Sequence, residues 1–466
     1  GQKRYIATIA YWEGGDTIQL FLADKDGNRI SNELKIGSSK TVEYLEAVEA
    51  HQTTGFLSVA CGDFDGDGKD SIVAYFPEME NGDPYICSYS ITQKDDGSFE
   101  LTTDVAVESS LWGMLGTADL SAKNSKNSKV RNNTPLVQLV ADDTDKDGVD
   151  ELVVTTSISS TSANDVNNRG SRLFVYDYCV DKDKAYTWNR SASMVLQAEG
   201  NAWAAGRLRW ASSSVGNVIQ KTGGGADFPE IVSAGYYDHT ENTSTEISDS
   251  DSKTNLAVYI ASCTKVTTDQ NGNQIGSYAQ TATNLPITAS EFVRGGLYTG
   301  DDVQSLVPVQ AFAARGVNYA DYILVADTVY SYENGALSEK YREGYFNNDD
   351  DGIGACVITN GLVQDVTAGN FDGNVNGVEQ VLFTTMQKRS GRNDYFSKIY
   401  TYQLNNSFNS SGKLTGDESW QKDETGYLTD CTGYAYLSLC AFDCDSDGTI
   451  VKYKEASRTY TDPEVL

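Results

Sequence analysis

Asp63-Phe64-Asp65-Gly66-Asp67-Gly68-Lys69-Asp70 places carboxylates at its first, third and fifth positions and a glycine at its sixth. The same spacing returns at Asp143-Thr144-Asp145-Lys146-Asp147-Gly148-Val149-Asp150-Glu151 and at Asp443-Cys444-Asp445-Ser446-Asp447-Gly448-Thr449. A reduced copy, Asn370-Phe371-Asp372-Gly373-Asn374, lies between the last two. Oxygen ligands at alternate positions followed by a sharp glycine turn are what a calcium loop needs, because calcium takes about 6–8 oxygens and the chain must wrap the ion. A bare hairpin turn has no reason to gather three carboxylates, which repel one another without a cation.

Each acidic loop is followed by a short β-rich run: Ser71–Phe76, Leu152–Thr156, Val381–Thr385 and Ile450–Tyr453. Phe228–Val232 and Tyr319–Val325 show the run with a decayed loop, and Tyr5–Trp12 opens the chain with another. In the third-unit context Arg207 and Arg209 fall near the first and third loop positions, ahead of a Ser/Gly-rich stretch over 211–225. Most runs are trailed by a second strand: Ile18–Ala23, Tyr85–Ile91, Arg172–Tyr178, Leu256–Ala261 and Lys398–Gln403. Apolar strands also precede several loops, as in Phe56–Cys61 and Leu136–Ala141, whereas Val42–Ala50 is the best helical-turn candidate. Seven units of several short strands, repeating at roughly 60–90 residues, indicate an all-β, seven-bladed β-propeller with calcium-binding loops.

The string Ala60-Cys61-Gly62-Asp63-Phe64-Asp65-Gly66-Asp67-Gly68, followed by Ile72-Val73, resembles the FG-GAP/VCBS repeat, and Asp143–Val153 resembles it equally. That repeat builds the seven-bladed propeller of integrin α subunits and of many bacterial surface proteins. The resemblance implies calcium between the first two strands of a blade, with a seventh-position carbonyl and a ninth-position side chain completing the set. The first centre would then use Asp63, Asp65, Asp67 and the Lys69 carbonyl, with Asp70 standing in for the acid that Ser71 lacks. The second would use Asp143, Asp145, Asp147, the Val149 carbonyl and Glu151. Weaker centres would fall at Asn370, Asp372 and Asn374, and at Asp443, Asp445, Asp447 and the Thr449 carbonyl, giving two Ca2+ sites and up to four or five. Asp24-Lys25-Asp26-Gly27-Asn28 and Asp95-Asp96-Gly97 read as metal-free hairpin turns.

The 466 residues carry a formal net charge of −30, which argues against nucleic acid and anionic membranes as partners. No apolar run is long enough for a membrane span. The chain begins at Gly1 without Met and stops at Leu466, so residues 1–466 are expected to be one domain cut from a longer protein, with other domains of that parent as neighbours. Of eight cysteines, Cys61, Cys87, Cys179 and Cys440 lie in apolar runs and read as core thiols, and Cys431 with Cys440 is the best candidate disulfide. No CxxC, GxSxG, HExxH or P-loop occurs, and His51 and His239 stand in no motif.

The resemblance implies a secreted or cell-surface protein, of bacterial origin, acting in adhesion or in recognition of a protein or glycan. The ligand would meet the face opposite calcium, where the inserts Ser157–Gly170 and His239–Asn255 fall. A polysaccharide lyase or glycosidase on the same scaffold is the catalytic alternative. Tyrosines with Trp112, Trp203 and Trp210 are candidates for a sugar platform.

Overall fold

A computed structural model describes residues 5–10, 17–24, 28–36, 57–76, 85–108, 136–158, 170–196, 209–219, 228–237, 255–287, 297–300, 303–306, 311–314, 321–325, 328–342, 361–369, 380–388, 395–404, 420–422 and 431–432. Side chains are described within residues 5–340, outside 297–314. All regular structure among these residues is β. The first sheet is an antiparallel meander of β1 (Ile6–Ala10), β2 (Ile18–Ala23) and β3 (Leu34–Ile36). The second contains β4 (Ser58–Gly62), β5 (Ser71–Phe76), β6 (Tyr85–Gln93) and β7 (Phe99–Glu108). The third contains β8 (Leu136–Asp142), β9 (Glu151–Ile158), β10 (Gly170–Val180) and β11 (Tyr186–Val195). The fourth contains β12 (Arg209–Gly216), β13 (Glu230–Tyr237), β14 (Asn255–Thr268) and β15 (Gln274–Ile287).

A hairpin of β16 (Leu297–Gly300) and β17 (Val303–Leu306) precedes the fifth four-stranded meander. That sheet comprises β18 (Ala311–Ala314), β19 (Tyr322–Val325), β20 (Thr328–Glu333) and β21 (Ala336–Arg342). The sixth comprises β22 (Gly361–Gly369), β23 (Gln380–Lys388), β24 (Tyr395–Leu404) and β25 (Trp420–Lys422), with β26 (Cys431–Thr432) also paired to β24. The helical turn expected at Val42–Ala50 and the strand expected at Ile450–Tyr453 lie outside the described residues.

The sheets stack face to face. Their first strands β1, β4, β8, β12, β18 and β22 lie side by side in that order. Period-two alternation then sends neighbouring residues of one strand into different cores. Ile72, Ala74 and Phe76 of β5 pack with Ile18, Leu20 and Leu22 of the first sheet. Val73 and Tyr75 turn the other way, onto Leu139, Leu152 and Val154 of the third. Val153, Leu173 and Val175 of the third sheet meet Ile231, Ala257 and Tyr259 of the fourth. A strand buried on both faces must be apolar throughout, which is why Ser71–Phe76 and Leu152–Val154 read as continuous runs. Each Val, Ile or Phe buried in this way contributes about 1.5–3 kcal/mol.

Adjacent units are also clasped at the loop end. Asp63 N–H donates to Asp150 Oδ2 at 2.8 Å, and Asp150 N–H donates to the Asp63 carbonyl at 3.0 Å. The reciprocal pair recurs between the fourth and fifth sheets: Asn217 N–H to Asp321 Oδ2 at 2.7 Å, and Asp321 N–H to the Asn217 carbonyl at 2.8 Å. Each pair joins the residue after one unit's first strand to the residue before the next unit's second strand. At the junction between the third and fourth sheets that second position is Pro229, which has no N–H to give. There the Tyr278 hydroxyl of β15 crosses instead to Thr144 Oγ1 at 2.7 Å.

This close approach sets the residue at 62. A Cβ added to Gly62 would stand 2.8 Å from Ala141 Cβ and 2.8 Å from Asp150 Oδ2. Gly62→Ala is therefore expected to wedge the second and third sheets apart and to cost about 1–3 kcal/mol in chemical denaturation. An unchanged denaturation midpoint would show that the two sheets do not meet this tightly.

Candidate metal centre

Both strong acidic loops sit between the first and second strands of their sheets, as the resemblance implies. Asp63–Asp70 joins β4 to β5, and Asp143–Asp150 joins β8 to β9. The sixth-position glycines take left-handed backbone, with φ of +82° at Gly68 and +91° at Gly148. In the second loop Lys146 holds φ +60° at the fourth position, where the first loop has Gly66. The second residue of each loop is an inward plug: Phe64 and Thr144 are buried, and Phe64 meets the Trp188 ring edge-on at 5.1 Å.

The turns gather the acids. Carboxylate oxygens of Asp63, Asp65 and Asp67 lie within 4.8 Å of one another, as do those of Asp143, Asp145 and Glu151. Asp147 and Asp70 belong to neither close set. Asp147 Oδ1 accepts Val149 N–H at 2.8 Å, and Asp70 is exposed. Lys69 Nζ pairs with Asp67 Oδ2 at 3.1 Å, an exposed contact worth little.

Within the sets, loop amides occupy one oxygen and leave another. Asp63 Oδ2 accepts Gly68 N–H at 2.8 Å, whereas Asp63 Oδ1 is buried with no partner. Asp145 Oδ1 accepts Asp147 N–H at 3.2 Å, whereas Asp145 Oδ2 is buried with no partner. A buried, unpaired carboxylate oxygen is costly, and a cation between such oxygens removes the cost. The residues present therefore fit a cation. Asn370, Asp372 and Asn374, and Asp443, Asp445, Asp447 and Thr449, lie outside the described residues.

The second centre is the more deeply buried and the more perturbed. Burial and the facing Asp147 and Asp177 push Asp145 up to about 7. Burial, then Asp145, pushes Glu151 up to about 9. Burial, opposed by the loop amides and assisted by like charge, also raises Asp65 and Asp147. Glu151 Oε2 accepts Thr144 N–H at 2.8 Å, Thr144 Oγ1–H at 2.6 Å and Asp145 N–H at 3.2 Å. Tyr278 O–H reaches the same oxygen at 3.5 Å.

The fourth sheet repeats this fork without the acids. Glu230 Oε2 accepts Val218 N–H at 2.9 Å and Ile219 N–H at 3.1 Å. The counterpart of Asp63 in this unit is thus Asn217, and Arg209 begins strand β12, eight residues upstream. The drifted loop expected at Arg207 and Arg209 is corrected accordingly, and residues 211–216 of the expected insertion belong to β12. The signal was present in the sequence: Gly216-Asn217 parallels Gly62-Asp63, and Glu230-Ile231-Val232 parallels Glu151-Leu152-Val153.

Sequence reading also missed Asp177, an acid in the third strand of the third sheet, which is buried beside this centre and pushed up to about 6 by burial and by Asp147. Asp24 and Asn28 close the described ends of the first expected turn, and Asp95-Asp96-Gly97 turns between β6 and β7. Asp24 carboxyl oxygens accept Asn28 N–H at 2.8 Å and Nδ2–H at 3.2 Å, and Gly97 takes φ +86°. Cys87, Cys179 and Cys263 are buried free thiols, whereas Cys61 is exposed at the edge of its strand, so the core reading of Cys61 does not hold. Cys440 lies outside the described residues.

No protein-family model matches the chain, and no curated protein matches it. Among solved structures it is similar to the rhamnogalacturonan lyase YesW, at 12% identity and a TM-score of 0.33, over 88% of this chain and 67% of the lyase. It is similar to the fucose-recognising lectin of Aleuria aurantia, a six-bladed β-propeller, at 12% identity and a TM-score of 0.33, over 90% of this chain and 97% of the lectin. The α-L-arabinofuranosidase Arb93A of Fusarium graminearum follows at 9% identity and a TM-score of 0.32, over 87% of this chain and 85% of that enzyme. Likenesses this remote define neither the strand arrangement nor the ligand of the present chain.

The acid cluster gives metal-free protein a definite pH dependence. In the folded chain Asp145 and Glu151 keep their protons up to about 7 and about 9, against 3.8 and 4.5 for the free groups. The native state then binds more protons than the unfolded state between those values, so stability falls as pH rises through this window. In chelator, the melting temperature is expected to drop by several degrees from about pH 5.5 to about pH 8.5, and millimolar Ca2+ is expected to abolish the drop. A melt independent of both pH and calcium would rule out a cation at these carboxylates.

Proposed function

We propose that this chain is a calcium-stiffened β-propeller of the FG-GAP/VCBS type, in a secreted or cell-surface protein, that recognises a glycan. The observation carrying the scaffold reading is the repeated unit itself: a four-stranded meander whose first strands stand in a row and whose first turn gathers acids. A seventh blade falls on the segment around Asp443–Tyr453 and remains part of the proposal. Calcium is favoured over a softer ion because the close sets contain oxygen only. The nearby Cys179 thiol is held protonated by burial and by Asp177, up to about 12. Extracellular calcium modules work at about 10⁻⁴–10⁻³ M, a concentration available outside the cell.

The glycan reading rests on an aromatic stack beside the first loop. Tyr178 lies parallel to Tyr186 at 4.8 Å and 12°, and against Trp188 at 4.8 Å. Tyr178 O–H donates to Asp104 Oδ2 at 2.9 Å, so the stack is braced from the second sheet. Tyr186, 42% exposed, offers its outer ring to solvent. A rigid aromatic face flanked by carboxylate acceptors suits the apolar face and the hydroxyls of a pyranose. The stack supports a ligand at the loop end of the third sheet, rather than on the opposite face expected from the sequence. Residues 159–169 and 239–254 of the inserts on that face lie outside the described residues.

Glycan-array binding in calcium, repeated with Tyr186→Ala, tests the reading. The substitution is expected to weaken binding about tenfold or more, with no change in melting temperature. Equal binding by both proteins would remove the stack from the site. Release of unsaturated or new reducing ends from the bound polysaccharide would turn the reading to a lyase or glycosidase.

A further inference from the structure

Asp177 stands apart from every loop acid. It lies on β10, and β10 pairs with β9 up to Tyr176 opposite Leu152, so Asp177 and Glu151 follow side by side at the end of that ladder. Side chains opposite one another in a sheet share a face. Asp177 is 5% exposed, and neither of its carboxyl oxygens has a hydrogen-bond partner. The Gly276 amide and the Ser191 hydroxyl flank it outside hydrogen-bond geometry, and Ser191 donates instead to the Val175 carbonyl at 3.2 Å. The titratable groups around it are Asp145, Asp147 and Glu151 of its own sheet, together with Cys179, and Tyr278 from the fourth sheet. None of these supplies a positive charge.

An aspartate that only filled space would be replaced at lower cost by Asn or Leu, since two unpaired buried carboxylate oxygens are expensive. Its placement is intelligible if a cation sits within reach. The oxygens of Asp177 are not in the close set of Asp143, Asp145 and Glu151, which puts the residue one layer further out. We propose that Asp177 is an outer carboxylate of the second cation centre, held to the ion through water, and that it makes the Asp143 loop the high-affinity site of the chain. This rests on the calcium reading above and adds to it a residue outside the loop. Outer partners of metal ligands typically alter affinity by about 10–100-fold. The Asp63 loop has exposed acids at its third and fifth positions and a lysine on Asp67, and by the same logic it is the weaker site.

The experiment uses the full chain, stripped with chelator and titrated with Ca2+ by calorimetry. It is repeated with Tb3+, reading luminescence excited through the tyrosines. Wild type is expected to show a tight and a weaker class of site. Asp177→Asn is expected to weaken the tight class by about tenfold or more and to leave the weaker class unchanged. Asp67→Asn should do the reverse. Melting supplies a second readout: in chelator Asp177→Asn should melt at or above wild type, and in calcium below it. Loss of stability to the same extent in both conditions, with unchanged affinities, would make Asp177 a packing residue and overturn the proposal while sparing the loops. Absence of calcium uptake by wild type would overturn both. Asp177→Ser provides the same comparison if the Asn variant does not fold.

Discussion

Both faces of the second and third sheets are covered by another sheet, and the rest of the structure follows from that constraint. Ile72, Ala74 and Phe76 serve one core while Val73 and Tyr75 serve the next, so no face of β5 is left for water. The turns at the ends of such strands are pressed against the turns of their neighbours. Asp63 and Asp150 exchange hydrogen bonds across that junction, and Gly62 leaves no room there for a methyl group. The loops are therefore part of the packing between units, and their chemistry has to be compatible with partial burial.

Three successive units meet that demand differently. In the second sheet the acids at the third and fifth positions stay exposed, and Lys69 sits on Asp67. In the third, Asp145 and Glu151 are buried with Asp177 behind them, an arrangement that lacks positive charge unless a cation enters. In the fourth, Val218 and Ile219 stand where Thr144 and Asp145 stood, and only the glutamate fork survives, as Glu230. The fork is common to the third and fourth units, so it belongs to the scaffold: it satisfies the loop's orphan N–H groups whether or not an ion is present. The alternate acids are present in the second and third units and absent from the fourth. A unit can exchange one for a hydrophobic contact and keep its fold.

The sequence made the second strands plainest, because burial on both faces writes an unbroken apolar run. Ser71–Phe76 coincides with β5 to the residue. The outer strands β7, β11, β15 and β21 went unread. Tyr186–Val195 mixes exposed and half-buried positions and carries Asn189, Arg190, Thr187, Ser191 and Ser193, so it looks like loop. The alternate spacing located the acids that converge in both strong loops, since that geometry is local. Asp177 was invisible for the opposite reason: its position beside Glu151 is a matter of strand register, which no local pattern encodes. The third loop was misplaced because a pair of arginines drew attention from the Gly216-Asn217 step, whose role depends on a contact with Asp321 over a hundred residues away.

The second residue of each loop links that loop to the packing between units. Phe64, Thr144 and Val218 are all buried, though their neighbours differ. Phe64 supports Trp188, and through it the stack of Tyr178 and Tyr186 on the third sheet. Thr144 supports Tyr278 on the fourth. Ordering an acidic loop fixes its plug, and the plug fixes an aromatic residue on an outer strand of the following sheet. Acidic loop and aromatic residue are therefore joined through one side chain at each junction. The identity of that side chain decides whether the coupled aromatic is a solvent-facing stack, as beside Phe64, or a buried hydroxyl, as beside Thr144.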